Sequence, residues 1–295
     1  MRLTKNKKAV IIITALVAVL FLLTLRFSAV LEWMDGAQTS DLATSTLQII
    51  PSEGLAITAI SDLTQKFSSE TFASSTYIKV TDGCGPHFEG ECLNVRLTPS
   101  TGAEVTDRLR NGQVLKVARL LEAEGVWWYQ VVFDEWLRYP DRIEGDWFVA
   151  AEFVERVEPA ALVEPQQSEE VEKRIVVDLS EQKLYAYEGE EVFMETDIST
   201  GLFGTLTPRG TFTVFYRTPS RYMQGPLPGI SDDEYDLPGV PWNLYFTQQG
   251  AVIHGAYWHD NFGMNWSHGC VNLPPEQAKK LYEWTPEGAE VRVQD

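Results

Sequence analysis

The strongest limit on the fold is punctuation. From residue 76 onward, short runs of β-branched and aromatic residues alternate with Gly, Pro and Asn-Gly turns, and a helical period holds in only one place. In residues 76–157 the runs are YIKV (77–80), LNVRL (93–97), VLKVARLL (114–121), WWYQVVF (127–133) and DWFVAAEFV (146–154). Turn residues separate them at Pro99, Gly102, Asn111-Gly112, Gly125 and Gly145. Short strands at that density predict a small barrel. Residues 158–173 (EPAALVEPQQSEEVEK) read as an exposed linker.

A second set begins at residue 174. RIVVDL, KLYAYE, EVFMETDIST and GTFTVFYR (210–217) read as strands, as do residues 243–246, 251–254 and 290–293. The one helix starts at Pro274-Pro275, has Glu276 in its first turn, spaces Ala278, Leu281 and Tyr282 along one face, and stops before Gly288. Many strands with one helix and no βαβ alternation predict a β-sandwich-like body over residues 174–295. The fold class is therefore mainly β. One long Pro/Gly-rich stretch, residues 218–241, reads as a lid over the site that follows it.

The start of the chain bears on compartment. Arg2, Lys5, Lys7 and Lys8 precede an uncharged run, residues 9–25, which Arg26 closes. A helix of that length is roughly 25 Å, slightly short of a ~30 Å hydrocarbon core, and residues 27–31 extend it. The basic tip predicts a cytoplasmic N-terminus and an exported body. The run is long for a signal peptide and Ser28-Ala29 is a poor cleavage site, so residues 1–31 are expected to be an uncleaved single-pass anchor in the cell membrane, followed by a stalk at 32–75. With 42 Asp+Glu against 24 Lys+Arg the chain lacks the basic footprint of a nucleic-acid binder. In an oxidising compartment the close pair Cys84 and Cys92 is expected to form a disulfide, leaving Cys270 as the odd thiol.

The chemistry concentrates near the C-terminus. The sequence has four His and three Cys, and His254, His259, His268 and Cys270 all fall within residues 251–273 (AVIHGAYWHDNFGMNWSHGCVNL). A thiol beside an imidazole suits nucleophilic catalysis near neutral pH. Zinc is the competing use of such residues, but H-x4-H-x8-H-x-C fits no zinc-site spacing, and no cofactor is expected. His259 reads as an ordinary loop residue.

Two resemblances follow. Asn94-Val95-Arg96, residues 112–117 and 127–131, and Trp147-Phe148-Val149 resemble the strand sequence of bacterial SH3-like domains, which implies a module that binds peptide or cell-wall material. Residues 174–295 resemble the catalytic domain of L,D-transpeptidases. The likeness rests on Gln182, Leu184 and Tyr187, on Ser199-Thr200-Gly201, on Thr207-Pro208-Arg209-Gly210-Thr211-Phe212, and on His254-Gly255 with Ser267-His268-Gly269-Cys270-Val271-Asn272.

That family cross-links peptidoglycan stem peptides. The resemblance implies that Cys270 attacks the carbonyl before a terminal D-alanine and that a diamino-acid amine of a second stem resolves the thioester. It assigns His254 as the base, with the Gly255 carbonyl fixing its tautomer, and Gly269 as the tight turn before the nucleophile. Backbone N–H groups of Gly269 and Cys270 are expected to hold the oxyanion. Ser267, His268 and Asn272 are expected to orient substrate or assist, and Trp258 and Tyr222 to wall the stem. An L,D-carboxypeptidase and a non-catalytic wall binder remain as alternatives.

Overall fold

The computed structural model describes residues 69–158 and 171–295. The expected anchor, and most of the stalk and linker, lie outside these residues. Among the described residues no helix is long and apolar enough to cross a membrane.

Residues 69–157 form one seven-stranded sheet. Its strands are β1 (Ser69–Val80), β2 (Leu93–Arg96), β3 (Val105–Leu109), β4 (Val114–Ala123), β5 (Val126–Val131), β6 (Trp147–Ala150) and β7 (Val154–Val157). They lie in the order β3-β2-β6-β5-β4-β1-β7. Alternation along the strands turns Ile78, Val80, Leu93, Val95, Leu115, Val117, Val131 and Val149 into one core. Glu124 and Gly125 both take positive φ, the geometry of a two-residue hairpin loop, so β4 turns directly into β5.

The first half of β1 corrects the expected stalk. Ser69, Glu70 and Thr71 pair with Leu121, Leu120 and Arg119 of β4. The expected strand at 146–154 is broken by a single helical turn at Ala151–Phe153. The carbonyl of Phe153 there accepts the N–H groups of Thr81 and Asp82. Cys84 and Cys92 are joined by a disulfide.

Residues 173–294 form two sheets and the one α-helix among the described residues. The first sheet orders β10 (Glu191–Asp197), β9 (Lys183–Glu188), β8 (Lys173–Asp178), β16 (Glu290–Gln294) and β11 (Gly210–Thr213). The second orders β12 (Tyr216–Gln224), β13 (Asp236–Tyr245), β14 (Val252–Gly255) and β15 (Val271–Leu273). The expected single strand at 210–217 is two strands in different sheets. The N–H of Val214 bonds to Ala289 O while the N–H of Phe215 bonds to Tyr245 O, so the chain changes sheets between them.

Helix α1 (Pro275–Trp284) buries Ala278, Leu281 and Tyr282. These join Ile175, Val177 and Leu184 of the first sheet and Leu244, Ile253, Val271 and Leu273 of the second in one core.

The two modules share a packed junction. Tyr77, Val114 and Val157 of the N-terminal sheet belong to the second module's core. The buried Gln113 side chain donates to Pro238 O at 2.7 Å, and Ser220 donates to Val114 O at 2.6 Å. Gly239 takes a φ of +67°, and a Cβ there would sit 2.8 Å from Val114 O. Most of the expected lid is thus strand at this junction. Only residues 225–235, between β12 and β13, project from it as a strap.

Candidate active site

Strands β14 and β15 run parallel, with Ile253 opposite Val271, His254 opposite Asn272 and Gly255 opposite Leu273. Cys270 immediately precedes β15. Its Sγ lies against the start of β14, 3.9 Å from Gly250 O and bonded by the Val252 N–H. Side chains two apart on a strand share a face, so His254 stands on the same side as Val252, the residue whose N–H meets the thiol. The imidazole and the thiol are not hydrogen-bonded to each other.

His254 is buried, and its Nδ1 donates to Gly255 O at 3.0 Å. That bond places the proton on Nδ1 and leaves the Nε2 lone pair as the basic site. Gly255 permits the arrangement, because a Cβ there would meet Pro241 Cγ at 2.9 Å and Pro275 Cα at 3.1 Å. Burial pulls His254 down to about 4, partly opposed by the Gly255 carbonyl. Burial also pushes the half-buried Cys270 thiol up to about 11, partly opposed by the Val252 N–H. Burial thus favours the neutral form of both groups at neutral pH.

The Ser-His-Gly-Cys loop is built on the other motif residues. Ser267 Oγ donates to Cys270 O at 2.5 Å and accepts the Gly269 N–H at 3.2 Å. The Gly269 N–H, one of the two groups expected to hold an oxyanion, thus rests on a hydroxyl of its own loop. Gly269 has φ +112°, which favours glycine. Thr207 Oγ1 donates to Gly269 O at 3.1 Å and accepts the Gly201 N–H at 3.0 Å. The Gln182 amide brackets Thr200, and Asn265 Nδ2 bonds both Thr200 Oγ1 and Gly201 O at 3.0 Å. The Gln, Ser-Thr-Gly and Thr-Pro motifs are thus the floor of the cysteine loop.

Asn272 and His259 form a buried pair. His259 Nδ1 accepts the Asn261 N–H at 3.2 Å, so its proton is on Nε2. Nε2 faces the Asn272 amide at 2.9 Å. A donor must meet an acceptor, so the atom facing it is the amide oxygen. The opposite orientation would leave Oδ1 buried without a partner. His259 is therefore the support of Asn272. Sequence reasoning missed it because only the fold brings residue 259 back to β15.

Of the remaining expected residues, Trp258 lies beside His254, ring centroids 5.7 Å apart. His268 Nε2 is 2.8 Å from Asp233 Oδ2 of the strap, and its ring lies 5.7 Å from Tyr235. Tyr235 and Tyr245 both lie near enough to feel a charge on Cys270, and burial pushes each up to about 12. Asp233 and Tyr235 fall within the stretch expected to be a lid, whereas Tyr245 carried no recognisable signal in sequence. Tyr222 is not at the site. Its ring is buried against Phe133 and Trp147 of the N-terminal module, and its hydroxyl donates to Asp236 at 2.8 Å.

His254, His259 and His268 are each tied to a different partner. Among the described residues no group of three or more His, Cys, Asp or Glu side chains could hold a metal ion.

With this geometry in place, comparison is decisive for the second module. The YkuD model, L,D-transpeptidase catalytic domain, matches residues 172–293. This segment belongs to that family. The chain is 31% identical over 140 residues to the probable L,D-transpeptidase YbiS of Escherichia coli, covering 42% of this chain and 45% of that protein. It is 32% identical over 133 residues to the putative L,D-transpeptidase YciB of Bacillus subtilis, covering 40% of this chain and 64% of the relative. A crystal structure of an Enterococcus faecium L,D-transpeptidase shares 30% identity over 41% of this chain and 49% of that one, with a TM-score of 0.38. The chain spans about half the length of the first curated relatives it matches. The L,D-transpeptidase domain begins at the second module, and its motifs surround Cys270.

Proposed function

We propose that the protein is an L,D-transpeptidase that forms 3-3 cross-links between peptidoglycan stems through a thioester on Cys270. The observation that carries this reading is His254, its Nδ1 committed to Gly255 O, on the same short strand whose start holds the half-buried Cys270 thiol.

In the first half-reaction the Cys270 S–H proton passes to His254 Nε2 as sulfur attacks the carbonyl of the third stem residue. The tetrahedral oxyanion is held by the Cys270 N–H. His254 then protonates the leaving amine, the C–N bond breaks, D-alanine departs and the thioester remains. In the second, a diamino-acid amine of another stem loses its proton to His254 and attacks the thioester. The C–S bond breaks and the thiol recovers its proton. His268 and Trp258 wall the donor, while Asn272, held by His259, supports the loop.

The apolar run at 9–25 supports an extracytoplasmic body on a single membrane anchor. The strand sequence of residues 76–157 supports an SH3-like module. Intact-mass analysis after mixing with a tetrapeptide muropeptide tests the mechanism. A transient adduct of the stem minus D-alanine is expected on the wild type and not on Cys270→Ala. A dimeric product identifies transpeptidation, and a tripeptide alone identifies water as the acceptor. No adduct and no D-alanine release from a folded chain overturns the enzyme reading.

A further inference from the structure

We propose that Tyr139 and Arg142 of the N-terminal module are positioning residues of the active site, acting through the strap of residues 225–235. Both ends of the strap are held from outside the transpeptidase domain. At the outgoing end, the Tyr139 N–H donates to Gln224 Oε1 at 2.8 Å and Gln224 Nε2 returns to Tyr139 O at 3.0 Å. Tyr139 Oη donates to Pro226 O at 2.8 Å. Arg142 spans the neck. Its Nη1 donates to Gly225 O at 2.8 Å and to Tyr235 O at 3.2 Å, and lies 3.8 Å from Asp236 Oδ1 at the returning end. The guanidinium stacks over the Tyr139 ring at 4.3 Å, which fixes both side chains. The neck itself is closed by the Gly225 N–H on Tyr235 O at 2.9 Å.

Beyond the neck the strap reaches the cysteine loop through Asp233, on His268, and through the Tyr235 ring. Residues 228–230 and 232–234 are exposed. A single solvent-facing contact such as Asp233–His268 is too weak to hold such a segment alone. The neck must therefore set where Asp233 and Tyr235 stand, and with them the wall two residues from Cys270. The N-terminal module is in this respect part of the catalytic machinery rather than only a tether.

The inference about turnover rests on the proposed role of Cys270, and the test separates the two. Amide hydrogen exchange and donor kinetics are measured on the full chain for wild type, Arg142→Ala, Arg142→Lys, Asp233→Asn and the Arg142→Ala/Asp233→Asn double variant. In Arg142→Ala, amides of residues 229–235 are expected to exchange about tenfold faster while those of β4 and α1 do not change. The half-saturating donor concentration is expected to rise about fivefold to tenfold, with kcat within about twofold. Arg142→Lys recovers part of the loss. Asp233→Asn reproduces the effect, and the double variant is no worse than either single one.

Unchanged strap exchange in a folded Arg142→Ala, or losses that multiply in the double variant, overturns the proposal. If Arg142→Ala does not fold, Tyr139→Phe, which removes only the Pro226 contact, is read by the same criteria with an expected change of about threefold. If exchange responds but the wild type never takes an acyl group, the enzyme reading fails and the positioning link stands.

Discussion

At the scale of the residue, the site is decided by burial. It drives the His254 and Cys270 values apart, to about 4 and about 11, so the sulfur becomes nucleophilic only as its proton moves. Alkylation of Cys270 by iodoacetamide is therefore expected to climb about tenfold per pH unit from about pH 6 to 10. A plateau near neutrality reports a resting thiolate–imidazolium pair and sinks this account. The same burial affects stability. His254 and His259 are both lowered to about 4 in the folded chain, against 6.5 for the free side chain. Between these values the unfolded state binds more protons, so stability falls as pH drops from about 6.5 to 4, by up to roughly 3 kcal/mol per histidine. Urea denaturation near pH 7 and near pH 4.5 measures the loss, which His259→Gln should reduce. Removing the partner instead, as in Asn272→Ala, leaves the His259 Nε2–H buried and unpaired, at a cost of about 1–3 kcal/mol at neutral pH.

At the scale of the element, the Ser-His-Gly-Cys loop depends on two close approaches. Gly201 lies so near the next turn that a Cβ would fall 2.1 Å from Thr205 O, a backbone atom that cannot step aside. Gly269 has room by comparison, 3.3 Å from the same oxygen, but its φ of +112° strains any other residue by about 1–3 kcal/mol. Gly269→Ala is expected to retain the fold by circular dichroism and to lose at least about tenfold in acylation rate. Gly201→Ala should lower the melting temperature more than Gly269→Ala, and the reverse ranking would refute the role given to this loop. The motif glycines were legible in sequence because glycine spacing survives as a pattern. Strands β3 and β15 were not. VTDRL carries too few apolar residues to read as a strand, and VNL is too short to show a period.

At the scale of the whole molecule, the two modules behave as one body. Gln113 is buried across the junction, Tyr222 fills a pocket made by Phe133 and Trp147, and Tyr77, Val114 and Val157 complete the other module's core. Calorimetry is expected to show one cooperative transition for residues 69–295, and two separated transitions would disprove the shared core. The strand and turn punctuation, the helix at Pro275–Trp284 and the His–Cys motif were determined by the sequence alone, because each rests on neighbours within a few residues. The tertiary structure decided the rest. It moved Tyr222 from the site to the junction, gave Asn272 its His259 partner, brought Asp233 to His268 and placed Arg142 at the neck of the strap. These contacts join residues far apart in the chain, and no local pattern encodes which distant groups burial will bring together.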